Sequence, residues 1–203
     1  MHARIIGFQG ASNIDDGVVF IREKATPLAR QQKGYLGLSV SVDRSAGTVN
    51  VMSSWDSEEA LKASEAALAG LRTEGAGVLG AGEPTVTSFE VLVNEVGDRP
   101  PSEGCRLRVV AAEVDPARID EEAARMRDEV VPTLKATPGF RSFRLMVDRS
   151  GGRGAVGIVW ADEASLQASE EMGKQRRQEA TARGAIQFGD ISRREVVFVD
   201  TPS

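Results

Sequence analysis

The sequence predicts an α+β chain made of two tandem β-α-β-β-α-β copies. Three observations predict it: a register of identities at an offset of 105 residues, a hydrophobic pattern that alternates between strand and helix spacing in the same order in both copies, and a proline-rich connector. The offset pairs Gly34 with Gly139, Val42-Asp43-Arg44-Ser45 with Val147-Asp148-Arg149-Ser150, and Trp55 with Trp160. It goes on to pair Leu61 with Leu166, Ala63-Ser64-Glu65 with Ala168-Ser169-Glu170, and Glu90-Val91 with Glu195-Val196. Pro100-Pro101, flanked by Gly97 and Gly104, favours an extended linker. The expected organisation is a first repeat over 1–96, a linker over 97–104 and a second repeat over 105–203.

In each copy a short apolar strand comes first: Ile5, Ile6 and Phe8, then Leu107, Val109 and Val110. A helix follows, with Ile14, Val18, Ile21, Ala25 and Leu28 at helical spacing and Ile119, Ala123, Met126 and Val130 repeating the stripe. Asp115-Pro116 supplies an N-cap and a first-turn proline, and Pro27 and Pro132 are expected to kink or end these helices. From Gly34 to Asp43 alternation predicts a half-buried strand, with Leu36, Leu38, Val40 and Val42 on its apolar face. A turn at Asp43–Gly47, matched by Asp148–Gly152, leads into an antiparallel partner over Val49–Trp55 and Ala155–Trp160. Ser57 and Asp162 are N-caps of a second helix, and Val86–Val93 and Ile191–Val199 are the last strands. The order is ferredoxin-like, an antiparallel sheet with both helices on one face. Each copy is small, so its bare sheet face is expected to be covered by the other copy in an eight-stranded, barrel-like pseudo-dimer.

Composition excludes several function classes. Of 203 residues, 25 are Lys or Arg and 30 Asp or Glu; a net charge of -5 leaves no footprint for nucleic acid or an anionic membrane. A single His (His2) and a single Cys (Cys105) cannot form a disulfide framework or a Cys/His zinc site. The absence of a signal-peptide core or a membrane-length apolar run predicts a cytoplasmic protein.

Gly34-Tyr35-Leu36-Gly37 and the junction Trp55-Asp56-Ser57-Glu58-Glu59-Ala60-Leu61 carry a family resemblance, repeated as Gly139-Phe140-Arg141-Ser142-Phe143 and Trp160-Ala161-Asp162-Glu163-Ala164-Ser165-Leu166. They resemble the antibiotic biosynthesis monooxygenase-like family of dimeric α/β-barrel proteins, tandem duplicated in one chain. That resemblance implies an intramolecular dimeric α/β-barrel. It points to a small-molecule-binding protein that oxidises an aromatic or quinol-like substrate with O2, without metal or cofactor. The alternative is a non-catalytic binder or assembly protein of the same fold. The haem-degrading branch uses an Asn in the first strand, a second Trp and a ligating His in the second helix. Here Gly7 or Ala112 and Ser64 or Ser169 stand in place of the first two, and neither second helix contains His, so haem degradation is disfavoured. The expected partner is a small apolar or aromatic molecule. A further homodimer of pseudo-dimers is left open.

Five residues are candidates for a ligand pocket. Trp55 and Trp160 occupy equivalent positions, either as core anchors with the indole N–H bonded to backbone or as ligand contacts. Arg144, on the strand face opposite the helices, needs either Glu90 or Glu195 as a structural partner or an anionic ligand. With Arg141 and Met146 it marks the C half, where 17 basic residues balance 17 acidic ones against 8 and 13 over 1–98, as the place for a substrate bearing carboxylate or phenolate. Gly75-Ala76-Gly77-Val78-Leu79-Gly80 matches a dinucleotide fingerprint in spacing only; a helix precedes it and a strand follows, so it is expected to be a flexible loop or lid. The mixed charges of 170–179 predict a solvated helix face.

Overall fold

The computed structural model describes residues 1–184 and 186–202. It is α+β, and its strand order is closed: β1-β3-β2-β8-β5-β7-β6-β4. Two compact units divide the chain, Met1–Ser88 with Glu195–Ser203, and Phe89–Arg194.

In the first unit β1 (His2–Phe8) pairs antiparallel with β3 (Thr48–Trp55), which pairs with β2 (Tyr35–Asp43). Between β1 and β2 lie α1 (Ile14–Phe20), a π-helical turn (Ile21–Ala25) and α2 (Thr26–Arg30); α3 (Glu58–Ala63) and α4 (Glu65–Leu79) precede β4 (Thr85–Val96). The second unit repeats this with β5 (Arg106–Val114), α5 (Ile119–Arg125), a π-turn (Met126–Val130), α6 (Val131–Lys135), β6 (Phe140–Asp148), β7 (Arg153–Trp160), α7 (Glu163–Ala168), α8 (Glu170–Ala182) and β8 (Ile186–Asp200). Ser57 accepts from the Ala60 amide and Asp162 from the Ser165 amide, so both expected N-caps are formed.

The last strands are longer than the apolar pattern suggested, and each ends in the unit that the other begins in. The end of β4 pairs with β6, from Glu90 opposite Val147 to Val96 opposite Ser142. The end of β8 pairs with β2, from Leu38 opposite Asp200 to Val42 opposite Glu195. Equivalent charged contacts accompany these ladders: Arg44 bonds Asp15 at 2.8 Å and lies 3.8 Å from Glu195, while Arg149 bonds Asp120 at 2.8 Å and also Glu90.

Three local expectations are corrected. The prolines do not end the first helices. Pro27 and Pro132 lack the N–H that would continue the ladder, and a π-turn just before each absorbs the mismatch. The Thr26 amide reaches back five residues to the Ile21 carbonyl, which also accepts the Thr26 hydroxyl at 2.8 Å, and the Val131 amide does the same to Met126. Gly75–Gly80 is not a loop: α4 runs through it to Leu79, and only Gly80, at φ 61°, leaves the helix as a left-handed C-cap. Burial of Ala76 and Leu79 outweighs the low helix propensity of Gly75 and Gly77. Leu36 is 44% exposed because a bulge between Tyr35 and Gly37 takes it out of the alternation.

β8 ends on a buried carboxylate. Asp200 accepts from Arg30 Nε at 3.1 Å and from the Tyr35 hydroxyl at 2.8 Å, and these contacts, Arg30 first, hold its pKa below the usual Asp value. A depressed native pKa contributes stability that is complete above the unfolded value, about 4, and is lost as pH falls through the native one. We expect Asp200→Asn to be less stable near neutrality and to lose less stability than the parent between about pH 5 and about pH 2. Urea midpoints across that range measure it; equal slopes would show that Asp200 carries none of the acid sensitivity.

Candidate functional site

Each unit contains one buried arginine on its first strand, and the site is built around it. Arg4 in β1 and Arg108 in β5 are both 3% exposed, so their guanidinium groups need fixed acceptors. Arg4 Nη1 donates to Ser64 Oγ at 3.1 Å and Nη2 to the Leu61 carbonyl at 2.6 Å. Arg108 donates to Ser169 Oγ at 3.0 Å and to the Leu166 carbonyl at 2.8 Å. The serine hydroxyl closes each triangle by donating to the same leucine carbonyl at 2.7 Å. Those carbonyls lie in the last turns of α3 and α7, where a helix leaves acceptors without intrahelical partners. Ser64 and Ser169 are the residues at which the second helix is interrupted in each unit, so the arginine ties the start of α4 or α8 to the first strand. Glu65 lies 3.0 Å from Arg4 and Glu170 3.6 Å from Arg108.

Beside each arginine, between sheet and helices, is a cavity. The first-unit cavity is about 60 Å³ and apolar, walled by Phe8, Phe20, Leu38, Leu68 and Leu71 among others. The second-unit cavity is about 100 Å³, and its apolar wall of Val110, Phe143, Val156 and Ile158 is interrupted by polar groups. Trp160 lines it, fully buried, with an indole N–H that has no hydrogen-bond partner among the described residues. Both π-turns reach these cavities, through Ile21 and Ala25 in one unit and Met126, Glu129 and Val130 in the other.

The five sequence candidates do not come together. Trp160 alone among them lines the larger cavity. Trp55 is fully buried and donates its N–H to Ser53 Oγ at 3.0 Å, a side chain rather than backbone. Edge-on aromatic contacts back both indoles, Tyr35 to Trp55 at 5.6 Å and Phe140 to Trp160 at 6.1 Å. Met146 lines a separate cavity of about 20 Å³, room for one water at most. Arg141 borders an open cleft of about 400 Å³ with Val96, Gly97 and Lys135. Arg144 donates to Asn94 Oδ1 at 3.0 Å, and burial lowers its pKa; Glu90 and Glu195, its expected partners, engage Arg149 and Arg44.

Sequence reasoning missed Arg4, Arg108, Arg125, Arg176 and Arg177. The expected solvated face of 170–179 is present at Glu171, Lys174, Gln175, Gln178 and Glu179, while Arg176 and Arg177 of α8 turn the other way and line the cavity with Met172 and Gly173. Among the described residues no group of three His, Cys, Asp or Glu is placed to hold a metal ion, and no helix is long and apolar enough to cross a membrane.

The chain is 30% identical over 154 residues to the uncharacterized protein Rv2557 of Mycobacterium tuberculosis (strain ATCC 25618 / H37Rv), spanning 75% of this chain and 68% of that protein. It belongs to the Rv2557 family. No family model matches the chain. Among solved structures, a candidate monooxygenase from Fusobacterium nucleatum superposes with a TM-score of 0.74 at 14% identity, covering 100% of this chain and 94% of that one. An anthrone oxidase-like protein gives 0.64 at 15%, covering 98% and 93%. A ferredoxin-fold protein related to antibiotic biosynthesis monooxygenases, from Listeria monocytogenes, gives 0.50 at 10%, covering 99% and 95%. This member of the Rv2557 family therefore has the antibiotic biosynthesis monooxygenase-like fold.

Removing the guanidinium should cost each unit its helix clasp. Arg4→Leu and Arg108→Leu each take from a buried serine oxygen the donor it accepts from and leave the leucine carbonyl only the serine hydroxyl, and we expect a loss of about 2 to 4 kcal/mol in urea denaturation. A loss under about 0.5 kcal/mol, the scale of an ordinary surface change, would show that the clasp does not hold the helix.

Proposed function

We propose that the protein binds a small single-ring aromatic molecule in the second-unit cavity, and that an electron-rich one is oxidised there by O2 without a resident cofactor. The observation that carries the reading is the indole N–H of Trp160, without a partner among the described residues and set beside the apolar part of the wall. A buried donor with no acceptor is costly, and a ligand oxygen would relieve that cost. Size supports one ring: about 100 Å³ is near the roughly 150 Å³ of an engineered apolar cavity that admits benzene.

Oxidation is supported by chemistry of the wall and by the company the fold keeps. Arginines beside a bound phenol favour its ionised form, and a phenolate gives up electrons to oxygen more readily than a phenol. Two of the similar folds are described as a monooxygenase candidate and an anthrone oxidase-like protein. For a hydroquinone the balanced reaction yields quinone and hydrogen peroxide from one O2. A binder without catalysis is favoured by one observation: the wall carboxylates Glu129 and Glu179 are already engaged, by Arg125 at 3.8 Å and Gln175 at 2.9 Å, so neither is free as a base.

The two tryptophans make the test direct, since each gives one indole N–H resonance. We expect single-ring aromatic probes such as hydroquinone and 4-hydroxybenzoate to shift the Trp160 resonance and leave that of Trp55, already bonded to Ser53, in place. Peroxide formed faster with hydroquinone than in protein-free buffer, and lost in Trp160→Phe, would establish oxidation. Binding without peroxide leaves the binder; an unmoved Trp160 signal with every probe rejects the cavity.

A further inference from the structure

The two cavities descend from equivalent positions but differ in kind. Where the first unit has Phe20, Leu68 and Leu71, the second has Arg125, Gly173 and Arg176. Five arginines and two glutamates stand on the second wall, and both glutamates are engaged within the protein.

The ion pairing has changed as well. In the first unit Arg72 bonds Glu65. The matching Glu170 turns instead to Arg193, which donates through Nε at 2.8 Å. Arg177, the counterpart of Arg72, is left without a bonded carboxylate among the described residues, and burial lowers its pKa. Arg176 Nε is buried with no partner among the described residues. Gly173 adds access: a Cβ there would lie 3.2 Å from Arg177 Nη1 and 3.3 Å from Arg108 Nη1, so two guanidinium groups approach one stretch of bare backbone. Like charges gathered in a poorly solvated wall repel, and an anion placed among them is stabilised.

We propose that the second-unit cavity is an acid-selective site: its ligand is a small aromatic carboxylate, the ring on Val110, Phe143, Val156 and Ile158 and the carboxylate on Arg176 and Arg177. The proposal rests on the reading of this cavity as a binding site and narrows its ligand class. The first-unit cavity, with Leu71 in place of Arg176 and with Arg72 already bonded to Glu65, is not selective for acids.

The test compares 4-hydroxybenzoate with the neutral 4-hydroxybenzyl alcohol, titrated into the whole protein and followed by the Trp160 indole resonance. We expect the acid to bind at least about tenfold tighter, with an affinity that falls as salt is raised while the alcohol's does not. Arg177→Gln should abolish most of that preference and leave the alcohol's affinity as it was. Gly173→Leu, which installs the first unit's side-chain type, should weaken both ligands and serves as a second variant. Equal affinities for acid and alcohol would overturn acid selectivity while leaving the cavity as a binding site. An acid that shifts Trp55 in place of Trp160 would move the site to the other unit and overturn the proposal. No response of Trp160 to either ligand would overturn both.

Discussion

The rest of each unit depends on a guanidinium buried where no charge would settle without a prepared set of acceptors. Arg4 and Arg108 stand in the first strand of their units, among residues that otherwise pack apolar surface. A charge at that depth is tolerated only when its donors are matched, and here the acceptors come from a helix end. The interruption at Ser64 and Ser169 is therefore a working part: it frees a leucine carbonyl and offers a hydroxyl in one place. Sheet and second helix are joined by directional bonds as well as by apolar contact.

The cavities lie beside these joints. The second helix is interrupted at its clasp, and the first helix carries a π-turn ahead of its proline. The extra backbone residue in the π-turn widens the helix at Ile21–Ala25 and Met126–Val130, and side chains from these turns face the spaces left over. Cavity position is thus fixed by features that both units retain. Cavity character is set by a few side chains on the helices, which can change without disturbing the clasp. Trp55 and Trp160 show the same separation of roles: both are buried under equivalent aromatic neighbours, yet Ser53 satisfies one indole and Ile158, at the matching place, has no acceptor for the other.

How much of this was legible in the sequence depended on the range of the cause. The caps Ser57 and Asp162 depend on bonds within one turn, and the alternation of β2 from Leu38 to Val42 is local, so both could be read from the sequence. The family resemblance and the order of elements likewise led to the fold. The helical course of Gly75–Gly80 escaped because tertiary burial of Ala76 and Leu79 overrides glycine's preference. The paired arginines were hidden by a change of register. Five residues separate Phe8 from Ile14 and six separate Ala112 from Ile119, so the first strands match at an offset of 104, not 105. Aligning Arg4-Ile-Ile-Gly-Phe8 with Arg108-Val-Val-Ala-Ala112 would have revealed a charge kept in two apolar strands. Arg176 and Arg177 lie in a run of mixed charge whose commonest outcome is a solvated face; which way that face turns is decided by the clasp, many residues away.

The divergence of the cavity walls is a stability argument before it is a functional one. The first unit neutralises Arg72 with Glu65 and fills its wall with Leu68 and Leu71, the arrangement that packing and electrostatics favour. The second unit moves Glu170 to Arg193, removes a side chain at Gly173, and brings Arg176 to a wall already holding Arg108 and Arg177. Each step gives up packing or charge compensation that the fold can achieve, as its own other half demonstrates. Repeated departures from the same local rules, at one place and in one of two equivalent units, are what a binding site there would produce. The changes have one direction: positive charge is gained at Arg125 and Arg176, the carboxylate opposite Arg177 turns to Arg193, and Gly173 opens space beside them, which is the set of changes an anionic ligand would call for.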